Sequence, residues 1–238
     1  MTTIKRNHYE PATPVSVPLA DMVLHGELRI SHDARGLIIF VHGSGSSRFS
    51  LRNRYVAEEL NKRGLVTLLL DLLTDEEQKI DAETMQYRFD IPLLARRSTL
   101  VATWAQRQPE ISHLPIGLFG ASTGAAAALI TAAAMEEQIA AVVSRGGRPD
   151  LAEAALGKIE APTLLIVGGE DETVLALNRK AMARMHCVTN LHVVPGATHL
   201  FEEPGALEHV ATVAGEWFVK YMQDCVSDST QKAAVGWR

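Results

Sequence analysis

Gly120-Ala121-Ser122-Thr123-Gly124 lies between an apolar run, Pro115 to Gly120, and an alanine-rich segment, Thr123 to Glu136. A serine with glycine two residues before and two after can sit in a tight, strained turn that lifts its oxygen above a sheet. A helix beginning there adds backbone N–H groups and partial positive charge where negative charge develops. The hydroxyl needs a base, and the base needs an acid to orient it. In a strand-turn-helix frame of this kind the chain order is serine, acid, histidine. Two later segments meet that order. Gly168-Gly169-Glu170-Asp171-Glu172-Thr173-Val174 follows a run ending at Val167, and Gly196-Ala197-Thr198-His199 follows one ending at Val194. Of nine histidines, only His199 comes just after the last apolar run. Three consecutive acids compete for the orienting role, and their spacing alone does not choose among them.

The elements that must position these groups read as follows. Val15 to Leu19 and Val23 to Ile30 suit an antiparallel hairpin. Gly36 to Val41, Leu65 to Leu72, Pro115 to Gly120, Ile139 to Ser144, Thr163 to Val167 and Leu191 to Val194 read as strands, most of them buried on both faces. Helical segments are expected at Arg54 to Arg63, Ile91 to Gln108, Thr123 to Glu136, Thr173 to Met185 and Pro204 to Met222. Alternating strands and helices imply an α/β fold with a mostly parallel, doubly wound sheet of about seven or eight strands and helices on both faces. Ligands of such sheets bind beyond the carboxyl ends of the strands, where Ser122, the three acids Glu170, Asp171 and Glu172, and His199 fall. The polar stretch Thr74 to Phe89 reads as a long loop, with Met85, Tyr87 and Phe89 either walling a pocket or, by a slight preference, anchoring the loop.

At 238 residues, one domain over residues 14–222 is expected, with an N-terminal extension at 1–13, no lid domain, and a flexible tail at 223–238. Hydrophobic residues make up 47% and charged residues 21%, which excludes a largely disordered chain. The net charge of -5 argues against nucleic acid or an anionic membrane as partner. Cys187 and Cys225 are too few for a disulfide framework. No run of about 18 apolar residues is present, and Met1 to Glu10 lacks a signal-peptide core, so a cytoplasmic location is expected.

With Gly168, Asp171 and Val174 in a Gly-x-x-Asp-x-x-Val segment and His199 in a Gly-x-x-His loop, the chain resembles the α/β-hydrolases, specifically the dienelactone hydrolase-like branch, over residues 14–222. The resemblance implies an α/β-hydrolase fold and singles out Asp171 from its neighbours. It departs from strict dienelactone hydrolases, which use a cysteine where this chain has Ser122, and so implies fold and reaction class but not substrate. It also implies that His42-Gly43-Ser44 lies beside the nucleophile, with the backbone N–H groups of Ser44 and Thr123 forming an oxyanion hole. His42 is expected to be a structural hydrogen-bonding residue. A nucleotide-phosphate loop does not fit, because no lysine follows the glycines.

The expectation is a serine hydrolase of small or medium carboxylic esters, lactones or thioesters, acting through an acyl-enzyme and needing no cofactor or metal. An acyltransferase, a peptidase and a non-catalytic ligand- or partner-binding protein are its rivals. Arg48, Arg145 and Arg148 are candidates for holding an anionic substrate group, against the alternative that they pair with acids such as Asp71 and Asp150.

Overall fold

The computed structural model describes residues 10–235, and the side chains of residues 10–223. Eight strands form one sheet in the order β1-β2-β4-β3-β5-β6-β7-β8. β1 (Thr13–Pro18) and β2 (Val23–Arg29) make the antiparallel hairpin, and β2 also runs antiparallel to β4 (Leu65–Leu70). From β4 onward every pairing is parallel, through β3 (Gly36–Val41), β5 (Ile116–Ala121), β6 (Ile139–Arg145), β7 (Thr163–Gly168) and β8 (Thr189–Val194).

β3, β4, β5 and β7 are buried along their whole length, which explains why their sequences are continuously apolar rather than alternating. The alternation lies in which face each residue supplies. Ile38 and Phe40 pack under α1 (Leu51–Asn61) and α6 (Ala206–Val235), while Leu37, Ile39 and Val41 join the core under α3 (Ile91–Ala105) and α4 (Thr123–Met135). Burial of these side chains contributes roughly 1.5–3 kcal/mol each. α5 (Glu172–Met182) follows β7, and a kinked 3-10 stretch, Pro149–Lys158, takes the place of a helix after β6.

Two expectations require correction. The stretch read as a loop from Thr74 contains a helix, α2 (Asp75–Thr84). Its one buried residue is Asp81, so it shows no apolar periodicity. It is held instead by a reciprocal cap between Thr74 and Glu77 and by ion pairs of Glu77 with Arg97 and Asp81 with Arg88. Met85 and Phe89 are exposed rather than anchoring, whereas Tyr87 packs against the core. At the other end, α6 continues to Val235, well past the helix end expected at Met222. Gln223 to Val235 contains neither glycine nor proline, so nothing in it interrupts a helical hydrogen-bond ladder. Of the expected N-terminal extension, residues 1–9 lie outside the described residues. Among the described residues, no helix is long and apolar enough to cross a membrane.

Candidate active site

β5 delivers Ser122 into the turn before α4 with φ 51° and ψ -122°, a conformation costing a non-glycine residue about 1–3 kcal/mol. The surroundings hold it there. Ser122 N–H donates to Arg145 O at 3.1 Å, and Ser122 O accepts from Ala125 N–H and Arg148 N–H, each at 3.1 Å. The flanking glycines are needed for close approach. A Cβ on Gly120 would stand 2.4 Å from Ala125 Cα, and one on Gly124 would stand 2.2 Å from Val41 O. Any side chain at either position would push α4 away from the strand ends.

His199 arrives on the loop after β8, and Asp171 on the loop after β7. The two loops are tied together, with Gly169 N–H donating to Val194 O at 2.8 Å and Glu170 N–H to Ala197 O at 3.0 Å. His199 Nδ1 lies 2.6 Å from Asp171 Oδ2, and His199 Nε2 lies 3.4 Å from Ser122 Oγ. An ionised carboxylate only accepts, so Nδ1 carries the proton and Nε2 offers its lone pair to the hydroxyl. The serine contact is long, as such contacts are before substrate tightens them. Three residues separated by up to 77 positions therefore meet at one end of the sheet. Asp171, rather than Glu170 or Glu172, is the acid that reaches the ring.

The loop after β3 lies against this turn. A Cβ on Gly43 would be 2.8 Å from Ala121 O and 3.0 Å from Ser122 Cβ. Ser44 N–H, expected to face a substrate oxygen, donates instead to Thr123 Oγ1 at 2.8 Å. Thr123 N–H opens α4, where helix geometry leaves it no partner within the helix. His42 fastens the loop: Nδ1–H donates to Gly43 O at 2.9 Å, and Nε2 accepts from Leu72 N–H at 3.1 Å. Burial, partly offset by the Gly43 carbonyl and Asp71, holds the His42 pKa below its ordinary value. A neutral imidazole suits a ring that donates with one nitrogen and accepts with the other.

The three candidate arginines separate clearly. Arg48 pairs with Asp71 through its side chain and its N–H, and Arg148 pairs with Asp150 through two bonds of 2.9 and 2.8 Å. Arg145 is only 8% exposed and has no carboxylate partner among the described residues, and its Nη1 is buried without a hydrogen bond there. Its guanidinium lies 5.9 Å from the Phe119 ring centroid. Burial and the neighbouring Arg52 push its pKa down to about 10. A buried cation without a counter-charge is costly, so Arg145 is the arginine whose presence packing alone leaves unexplained.

A cleft of about 280 Å³ lies beside the loop after β3, between His42 to Ser47 on one side and Gln78, Asp81, Ala82 and Arg88 on the other. Arg88 Nε donates to Asp81 Oδ2 at 2.7 Å, and the arginine comes close enough to Gly45 that a Cβ there would be 3.4 Å from Nη1. α2 and Arg88 thus wall this cleft, a part of the Thr74 to Phe89 stretch for which the sequence offered only Met85, Tyr87 and Phe89 as candidate wall residues. The legible signal was Thr74-x-x-Glu77, a capping-box pattern that marks a helix start.

Comparison with known proteins agrees with this architecture. The model of the dienelactone hydrolase family matches residues 27–230. Two strains of Mycobacterium tuberculosis carry proteins, provisionally named phosphoribosyl transferases, that are 53% identical over 208 residues. The match covers 87% of this chain but only 46% of those proteins, so the chain spans about half their length. A dienelactone hydrolase crystal structure from Anabaena variabilis is 53% identical, with a TM-score of 0.88, over 89% of this chain and 98% of that one. Est1E from Butyrivibrio proteoclasticus, 17% identical with a TM-score of 0.74 over 88% of this chain and 99% of its own, shares the fold. On the extent of the family match and the identity to the Anabaena protein, this chain belongs to the dienelactone hydrolase family.

Proposed function

We propose that the protein is a serine hydrolase of small or medium carboxylic esters, lactones or thioesters. The observation that carries this reading is the hydrogen-bonded series from Ser122 through His199 to Asp171 at the carboxyl end of the sheet. Ser122 Oγ attacks the carbonyl carbon while His199 Nε2 takes its proton, and the carbonyl π pair moves onto oxygen. As the tetrahedral species collapses, the bond to the leaving group breaks and His199 returns the proton to it. Water, deprotonated by the same nitrogen, then attacks the acyl group and releases the acid and Ser122 Oγ. Asp171 keeps Nδ1 protonated and stabilises the imidazolium in each half-reaction. The phosphoribosyl transferase name belongs to proteins of which this chain matches less than half, and nothing in this site favours it.

The same reading extends to substrate charge. Arg48 and Arg148 are committed to acids, which leaves Arg145 as the arginine available to an anionic substrate group. Its carbonyl holds the Ser122 amide, placing its backbone beside the nucleophile.

Labelling with a fluorophosphonate probe, followed by peptide mapping, tests the assignment of the nucleophile. An adduct on Ser122, together with turnover of p-nitrophenyl esters, is the expected result. A folded protein that neither labels at Ser122 nor hydrolyses any ester or lactone overturns the reading.

A further inference from the structure

The hydroxyl of Thr123 occupies an unusual place among the hydroxyls of this molecule. Thr84, Ser98, Thr99 and Thr103 each donate to the carbonyl four residues earlier in their own helix, the ordinary use of a helical hydroxyl. Thr123 is the first residue of α4 and has no helical carbonyl four residues behind it. Its Oγ1 instead accepts the Ser44 N–H across the two loops, at 2.8 Å. Among the described residues, that oxygen's own proton is given to no acceptor. The residue is 7% exposed, so little water competes for the proton.

The frame around this contact is rigid. Gly124, the next residue, abuts Val41 O and His42 O, and Gly43 abuts Ala121 O. The amide of residue 44 and the hydroxyl of residue 123 are therefore held in register by backbone packing on both sides. An amide committed to a hydroxyl is a poor direct donor to a second oxygen, so the two-amide oxyanion hole is not what this geometry favours.

We propose that the Thr123 hydroxyl is a donor to the oxyanion, taking the Ser44 N–H on its oxygen and directing its own proton at the substrate carbonyl oxygen. Thr123 then supplies two donors, its N–H and its O–H, and Ser44 acts through the second of them. This rests on the serine-hydrolase reading above. No proton changes owner: as Ser122 Oγ bonds to carbon, the π pair settles on the oxygen and both hydrogen bonds to it shorten. A hydroxyl that accepts an amide bond is polarised into a stronger donor, and bonds to an ionised oxygen are roughly twice as strong as neutral ones. The gain appears mainly in the transition state, so it should act on kcat rather than KM.

The experiment compares wild type with Thr123→Val, Thr123→Ala and Thr123→Ser, measuring p-nitrophenyl ester kinetics and the affinity of an arylboronic acid, which forms a tetrahedral anionic adduct with a serine. Removing one oxyanion donor costs on the order of 10²-fold in kcat, so Thr123→Val and Thr123→Ala should each fall by about that factor with little change in KM. Boronate affinity should fall in step, and Thr123→Ser should recover most of both. Melting curves show that each variant compared is folded, and Thr123→Ala serves if the isosteric valine does not fold. Valine or alanine variants that match or exceed wild-type kcat would show that the hydroxyl obstructs the site, and would overturn the proposal. So would a serine variant as slow as the valine one, because the methyl group would then be what matters. A wild-type protein without a Ser122 fluorophosphonate adduct would instead refute the parent reading, which keeps the two failures distinct.

Discussion

Ser50, Thr74 and Asp90 stand just before α1, α2 and α3, and each accepts a hydrogen bond from a backbone N–H of the first turn, at Asn53, Glu77 and Leu93. Ser122 and Asp171 hold the same position before α4 and α5, and neither side chain caps its helix. All five are residue types that cap helices well, and a cap is worth about 0.5–2 kcal/mol. At α4 and α5 that stabilisation is given up, and the two side chains turn toward His199 instead. Local sequence makes the two groups look alike. What separates them is which loop arrives overhead: the histidine loop comes down on Ser122 after β5 and on Asp171 after β7.

Replacing a residue from each group should break different properties. Ser122→Ala should lower ester hydrolysis by roughly 10⁴–10⁶-fold, measured as kcat. Because Ser122 makes no cap bond, the variant's unfolding free energy should stay within about 0.5 kcal/mol of wild type. Asp171→Asn should cost about 10³–10⁴-fold in kcat, because an amide can hold the ring in the wrong tautomer. Activity near wild type would show that Glu170 or Glu172 replaces it. A smaller effect is expected at Arg145. Wild type should prefer carboxylate-bearing over neutral esters, and Arg145→Gln should shrink that ratio about tenfold, equivalent to about 1.4 kcal/mol. Equal kcat/KM for the two ester classes in wild type would remove Arg145 from substrate recognition. Thr74→Ala, from the capping group, should lose about 1 kcal/mol by denaturant unfolding and leave kcat/KM within about twofold. A large loss of activity there would mean that the α2 wall is part of the chemistry.

The same contrast explains how much was legible beforehand. Strands buried on both faces announce themselves as unbroken apolar runs, and the glycines at 120 and 124 mark the one turn where strand and helix must nearly touch. Fold class and the positions of Ser122 and His199 follow from those signals. α2 was hidden because charge holds it: Arg97 and Arg88 reach it from 20 and 7 residues along the chain, and such pairings leave no periodic trace. The arginines were equally opaque. Arg48 finds Asp71 across 23 residues, while Arg145 finds no acid among the described residues, and the residues beside each do not announce the difference. The role of the Thr123 hydroxyl depends on a contact spanning 79 residues, so position beside the nucleophile pointed only to its backbone N–H.

The step on which this chemistry turns is a covalent acyl-serine formed by His199-assisted attack. Rapid mixing with excess p-nitrophenyl acetate, quenched for mass spectrometry, reads it directly. A p-nitrophenol burst approaching one equivalent is expected wherever deacylation is slower than acylation, with an acetyl group mapped to Ser122 and neither seen in His199→Ala on the same timescale. An acetyl group on another residue, or undiminished acylation of Ser122 without the imidazole, would contradict it.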